Sequence, residues 1–147
     1  MLSKLRNYSQ RENGFSLIEL LTVILILGIL AAIAIPAFLN QRHKAYDAAA
    51  KTQVRKAATA EEIYATDNRD VYASETIDVN DTGPLATIEP TLKDTPGVTA
   101  TANGSNGYTL VSTAAGSPAD VFTYTDVNGT VTRTCSGSGG GCAQGSW

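Results

Sequence analysis

The sequence is poor in the residues that most often build catalytic and metal-binding sites. It contains one histidine, His43, and two cysteines among 147 residues. A histidine base needs a nucleophile beside it, and a metal site needs several ligands, which this composition hardly offers. The remaining residues supply neither a nucleophile–base pair nor a glycine-rich phosphate loop. We therefore expect no catalytic residue, no metal and no other cofactor.

Charged residues are also scarce, at 17% of the chain, and they are unevenly distributed. Residues 1–66 carry eight Lys or Arg against five Asp or Glu, whereas residues 67–147 carry three against nine. Because the second part has no basic patch, it is not expected to bind nucleic acid alone. Binding by an assembly of many chains stays open. A basic first part favours retention on the cytoplasmic side of a membrane.

Two acidic pairs lie in the second part, Asp67 with Asp70 and Asp78 with Asp81. Oxygen-rich loops suit calcium, but the spacing of an EF-hand is absent. A solvated loop is the favoured interpretation. The two cysteines, Cys135 and Cys142, are compatible with one disulfide in an oxidising compartment or with two free thiols.

What the chain has in abundance is a long apolar run near its start. From Leu20 to Leu39 only Thr22 is polar, and 20 residues of helix span about 30 Å, the hydrocarbon thickness of a bilayer. The segment before it is short, polar and basic, which predicts a cytoplasmic N-terminus. A secretory signal peptide cut near Ala32–Ala34 and a plain membrane anchor are the competing interpretations.

Neither a signal peptide nor a plain membrane anchor explains Glu19, which places a carboxylate just inside the apolar segment. An acid near the middle of a membrane helix costs a few kcal/mol, and less towards its end, so such a residue indicates a functional site. A partner of opposite charge is needed. None of the basic residues before Gly14 is well placed to be a fixed partner.

The residues Gly14-Phe15-Ser16-Leu17-Ile18-Glu19, between a short basic leader and an apolar helix, resemble the class III signal of type IV pilins and pseudopilins. The resemblance implies that a prepilin peptidase cuts between Gly14 and Phe15 and that the new N-terminus at Phe15 is methylated. It also implies an assembly role for Glu19, whose carboxylate would pair with the N-terminal amine of a neighbouring subunit.

Gly28 and Pro36 are the two residues that weaken the apolar helix. Proline has no N–H, so the carbonyl of Ala32 loses its helical partner, and glycine weakens the same stretch. Both residues are common in membrane helices, which is the ordinary explanation. The resemblance implies that the segment between them can melt in a filament. Glu61, Tyr64 and Tyr72 also resemble the transition from helix to head in this family.

By resemblance the protein is a structural subunit, held in the cytoplasmic membrane as a single-pass protein and polymerised into a surface pilus for adhesion, motility or DNA uptake. Its partners would be copies of itself, the prepilin peptidase, the membrane, the pilus assembly machinery and minor pilins. The alternative is a pseudopilin that forms a short filament in a type II secretion or competence system.

The expected fold class is α+β, with a long N-terminal helix packed on a small antiparallel sheet of about four strands, as in type IV pilins. Good helix formers dominate residues 45–65, with Tyr46, Ala50, Val54, Ala57 and Tyr64 on one face. Alternating Val, Thr and Tyr, with an Asn128-Gly129 turn, predict strands at 98–102, 108–113, 121–126 and 130–133.

The expected organisation has five parts. They are a leader at 1–14, a transmembrane and polymerisation helix at 15–39, an amphipathic helix at 40–66, a connecting loop at 67–97 with a short strand or turn near 85–92, and a sheet with a C-terminal disulfide loop at 98–147.

Overall fold

The computed structural model describes residues 14–116, 118–137, 141–142 and 144–147. All of the expected leader except Gly14 lies outside these residues. The chain divides into two compact units at Ala37–Phe38, and each is described by itself. We call residues 14–37 the N-terminal segment and residues 38–147 the head.

The elements follow one another in the order of an α+β protein. They are helix α1 (Leu17–Asp67), strand β1 (Glu75–Ile77), helix α2 (Pro84–Ile88), a 3-10 helix (Pro90–Lys93), and strands β2 (Val98–Ala102), β3 (Gly107–Thr113), β4 (Val121–Val127) and β5 (Thr130–Ser136). Helix α1 is assigned without a break at Gly28 or Pro36.

In the head, the five strands form one antiparallel sheet in the order of the sequence, β1-β2-β3-β4-β5. The register of β4 on β5 pairs Val127 with Thr130 across the turn at Asn128-Gly129. Both turn residues have positive φ, 52° and 76°, as a two-residue hairpin of this hand requires. The predicted hairpin at this point is therefore present.

The core of the head lies between α1 and the sheet. Ala50, Val54 and Ala57 of α1 are fully buried, as the helical spacing predicts, and small alanines let the helix approach the sheet closely. Tyr108 and Leu110 of β3 cover Val54 and Ala57 in the main cluster. A second cluster joins Ala50 to Ala114 and Phe122, with Trp147 packed against it.

Residues 67–97 differ from the expected connecting loop. They hold a fifth strand, β1, and two short helices, and the predicted strand or turn near 85–92 is helical. Each element is too short to show a sequence period, with three, five and four residues. What orders them is burial, because Ile77, Leu85 and Leu92 each place an apolar side chain in the core.

The other four strands occupy the predicted positions. β2 has the predicted bounds, and β3, β4 and β5 are one to three residues longer. β5 continues to Ser136 because its backbone stays paired with β4 as far as Val121. Its outer edge is partly covered by the last described residues of the chain. Thr134 forms a bridge with Ser146, and Cys135 N donates to Gly145 O at 2.9 Å.

Candidate assembly site

The N-terminal segment presents an almost continuous apolar surface. Its large aliphatic and aromatic side chains are all exposed, from Phe15 at 87% to Leu21 at 47%. The most apolar window of α1 has a mean hydropathy of 2.8 and none of it is buried. By length and composition α1 is therefore able to cross a membrane. An apolar surface of this kind needs lipid or other helices around it.

Glu19 is the one charged residue between positions 14 and 37. Its Oε2 accepts the backbone N–H of Ser16 at 3.1 Å, and its carbonyl accepts the hydroxyl of Thr22 at 2.9 Å. A glutamate that reaches back three residues to the first turn of a helix is half of a capping box. The carboxylate thus lies at the start of α1, within reach of the Gly14-Phe15 junction. It has no cationic partner in this segment.

Gly28 and Pro36 lie on the same exposed helix. A Cβ at Gly28 would have no neighbour within 4 Å, so packing within the chain does not require glycine here. Pro36 lies inside α1 and lacks the N–H that would bond to Ala32. Both residues weaken the helix, and both are exposed in the described part of the chain.

Residues 9–35 match the prokaryotic N-terminal methylation motif. The match covers the Gly14-Phe15 junction, Glu19 and Gly28 together, and curated pilins and pseudopilins match over a longer stretch. This part of the chain is therefore similar to type IV pilins and to type II secretion core proteins.

Two of the similar proteins are pilus components and one belongs to a type II secretion system. The type IV major pilin protein PilA of Myxococcus xanthus is 39% identical over 61 residues, or 42% of this chain and 28% of that protein. The type IV wide pilus major component PilA4 of Thermus thermophilus is 36% identical over 87 residues, or 59% of this chain and 60% of that protein. The type II secretion system core protein G of Pseudomonas aeruginosa is 37% identical over 59 residues, or 40% and 42%.

The matches thus span less than two thirds of the length of each of these relatives. No solved structure matches the chain significantly. The relatives are structural pilins and pseudopilins rather than enzymes. The α+β pilin fold that the sequence predicted is confirmed, with five strands instead of about four.

The head of this pilin-like chain contains a buried acid where the helix meets the following loop. Glu61 is fully buried, and its Oε2 accepts the N–H of Ala73 at 2.9 Å. Its Oε1 has no hydrogen-bond partner among the described residues. Burial raises the pKa of Glu61 to about 7, against the lowering effect of the Ala73 hydrogen bond. The neighbouring charges of Glu75 and Glu62 raise it further.

Tyr72 lies close to this junction. Its ring lies 5.0 Å from that of Tyr108, centroid to centroid, and Tyr108 is almost completely buried. The Tyr108 hydroxyl donates to Glu62 at 2.9 Å. Burial and this carboxylate raise the pKa of Tyr108. Tyr64 is packed at the margin of the same core cluster.

Cys135 and Cys142 form a disulfide, so the first of the two alternatives is confirmed. The bridge holds a loop that returns to α1. Asp47 Oδ2 accepts the N–H of Gly141 at 2.9 Å, and Lys51 Nζ donates to the Gly141 carbonyl. The sequence carries no local signal for these two contacts, because 90 or more residues separate the partners.

The described residues contain no group of three His, Cys, Asp or Glu side chains that could hold a metal. Asp67 is the last residue of α1 and Asp70 lies in the turn after it, and both are exposed. The carboxylates of Asp78 and Asp81 accept the backbone N–H groups of Asn80 and Gly83. His43 lies in a small pocket with Leu39, Arg42, Tyr46, Ala115 and Gly116. These residues supply no second metal ligand.

Proposed function

We propose that the chain is the structural subunit of a type IV pilus filament. A prepilin peptidase removes residues 1–14, Phe15 becomes the methylated N-terminus, and α1 anchors the subunit in the cytoplasmic membrane as a single span. The subunit then polymerises through the same helix into a surface fibre. The supporting observation is the N-terminal segment of α1, which is long enough to span a membrane, is apolar on all sides and carries one acid, Glu19, at its start.

The proposed pairing explains how Glu19 is tolerated. A lone carboxylate at the end of a membrane helix is unfavourable, and so is a lone ammonium group. Cleavage after Gly14 creates an amine at Phe15. In a filament the amine of one subunit and Glu19 of another neutralise each other, and breaking such a pair is costly because one charge stays buried alone. Glu19 therefore favours one register of docking.

The Ser16 contact makes a sharp test possible. Replacement Glu19→Gln keeps an oxygen that can accept the Ser16 N–H but removes the charge. We expect normal amounts of the processed chain in the membrane and loss of surface filaments, measured by shearing cells and blotting both fractions. The matched control is Thr22→Val, which changes the only other polar residue of the apolar run and should leave filaments intact.

Filaments at the normal level from Glu19→Gln would contradict the charge pairing. Mass spectrometry of the sheared fraction tests processing at the same time. We expect a chain that begins at Phe15 and is heavier by one methyl group. A chain that begins at Phe15 but stays in the membrane would favour the pseudopilin alternative, to which the match with core protein G also points. A chain that begins at Met1 would exclude both.

A further inference from the structure

An open cleft of about 420 Å³ lies in the head between α1 and the outer strands of the sheet. Arg55, Thr59 and Glu62 line it from the helix, and Tyr124, Asp126 and Arg133 line it from β4 and β5. The acidic and basic groups come from elements far apart in sequence. Nothing in the expected assembly through the N-terminal segment uses this cleft.

The two arginines of the cleft are held by aromatic rings. Arg55 Cζ lies 5.3 Å from the centroid of the Trp147 ring, and Arg133 Cζ lies 5.8 Å from the same centroid. Arg133 also lies 5.5 Å from the Tyr124 centroid. A guanidinium on an aromatic face keeps its N–H edges available for a carboxylate. Within the described part of the chain neither arginine has an ion-pair partner.

Contacts of Trp147 with its neighbours hold the ring on which the two arginines pack. Its indole N–H donates to the carbonyls of Thr134 and Thr123, at 3.0 and 3.3 Å. Its ring also packs edge-on against Phe122 at 5.9 Å. The ring is therefore oriented by three neighbours before any partner binds. Two oriented cations lose little side-chain entropy on binding, which favours association.

The carboxylates of the cleft limit what can enter it. Glu62 already accepts the Tyr108 hydroxyl, whereas Asp126 is half-buried with no ion pair among the described residues. A polyanion such as nucleic acid would meet these two like charges, in a head part that is itself acidic. The complementary partner surface carries both positive and negative charges, with acidic groups in excess.

The turn that follows α1 has this charge pattern. Asp67, Arg69 and Asp70 are all exposed and, among the described residues, form no ion pair. The turn is closed by bonds from Asn68 N to Tyr64 O and from Asp70 N to Ala65 O, both 3.0 Å. Arg69 and Asp70 adopt φ values of 58° and 60°, a conformation unfavourable for both residues. The chain thus maintains a fixed turn that presents acid, base and acid.

We propose that the Asp67–Asp70 turn of one subunit docks into the cleft of a neighbouring copy of this chain. Asp67 and Asp70 face Arg55 and Arg133, and Arg69 faces Asp126. Because turn and cleft are different surfaces, the contact is heterologous and can repeat without closing, as a filament requires. This inference rests on the proposed function, and it adds a contact between heads to assembly through the N-terminal helix.

The test is a charge exchange in the full-length chain, expressed in cells and assayed by shearing. We expect Arg55→Glu with Arg133→Glu to lower surface filaments about tenfold, since two close charge pairs become repulsive. Asp67→Arg with Asp70→Arg should lower them similarly. All four changes together should restore most of the filaments. Arg42→Glu and Asp94→Arg, charge reversals outside the cleft and the turn, should have little effect.

The outcomes separate this inference from the proposed function. If the unaltered chain forms no filaments, the proposed function fails. If it does, and the charge reversals leave filaments unchanged or the exchange restores nothing, the docking is wrong. A second measurement covers reversals that simply unfold the head. Asn68→Cys with Thr59→Cys, joined by a short bifunctional maleimide in intact filaments, should give a ladder of multimers, because Asn68 lies in the turn and carries none of its charges. A ladder absent from assembled filaments would also overturn the docking.

Discussion

At the scale of single residues, Glu61 couples the end of α1 to the loop that follows it. The acid is buried with one hydrogen bond, from Ala73, and one unpartnered oxygen. A buried carboxyl in this state prefers to keep its proton. The cost of ionising it falls on the folded head alone, because in the unfolded chain the group is in water.

This asymmetry predicts a pH dependence of stability. The folded pKa of about 7 lies above the ordinary value of 4.5, so the folded chain binds more protons between these values. The free energy of unfolding should therefore fall as pH rises from 4.5 to 7, by about 3 kcal/mol from this group, and then level off. Urea unfolding of the full chain in detergent, followed by circular dichroism at a series of pH values, measures it.

Replacement Glu61→Gln should remove most of this fall, because the amide does not ionise. Glu62→Gln, one residue further on and exposed, is the control. It should keep most of the fall, because the Glu62 charge is the smallest of the causes that raise the pKa of Glu61. Burial also raises the pKa values of Asp47 and Glu75, so a smaller residual slope of the same sign is expected. A slope in Glu61→Gln equal to that of the unaltered chain would contradict this role of Glu61.

Residue patterns predicted some of these features and not others. Glu19 and the Gly14-Phe15 junction stand out locally, because a charge in an apolar run is visible without a fold. The cluster of Arg55, Arg133 and Trp147 had no such signal. These residues come together only because the chain end returns across β5, and no local pattern in the sequence records that return.

At the scale of elements, the disulfide is the link between the end of the sheet and α1. It joins β5 to Cys142, and the adjacent Gly141 bonds to both Asp47 and Lys51. The loop it closes is short, with a sequence separation of seven. A short loop gives a modest entropic gain on closure.

We expect Cys135→Ser with Cys142→Ser to lower the free energy of unfolding by about 2–3 kcal/mol and the amount of surface filament correspondingly. Loss of the anchored loop also frees Trp147, which packs beside Cys135 and Cys142 in the second cluster. Tryptophan fluorescence of the full chain should therefore shift to longer wavelength, since the ring becomes more solvated. Unchanged stability and an unchanged spectrum would show that the bridge constrains nothing.

The strands and the short elements show why prediction succeeded unevenly at this scale. β2 to β5 were predicted because alternating residues and an Asn-Gly turn are strong local signals. β1 was missed because its three residues bury only Ile77, and α2 because five residues hold less than two turns. Both are ordered by tertiary contacts, such as Glu75 Oε1 accepting the N–H of Leu85 at 2.9 Å.

At the scale of the whole molecule, the two units differ in whether they bury a core of their own. The head has two clusters of buried side chains, a sheet and a disulfide of its own. The N-terminal segment buries nothing within the chain. The fold class and the position of the apolar helix could be predicted because the N-terminal segment and the head differ in amino-acid composition. The spacing of apolar residues predicted which face of α1 packs on the sheet. It could not predict the polar contacts that α1 makes.

This contrast predicts that a chain beginning at Phe38 folds without the N-terminal segment. We expect it to be soluble without detergent, to unfold cooperatively in urea, and to stay monomeric, because the apolar surface at residues 15–37 is gone. Circular dichroism and size-exclusion chromatography check this. An unfolded chain would show that the first part of α1 is needed for the head, against the division at Ala37–Phe38.

The covered edge of the sheet has a consequence for how two heads can associate. Exposed strand edges recruit further strands and lead to amyloid-like aggregates. Here β1 offers only three residues, and Gly145 and Ser146 occupy part of the outer edge of β5. Heads that come close together therefore have little opportunity to pair through their sheets. Association between heads is left to side-chain surfaces, whose specificity depends on charge and shape rather than on backbone pairing.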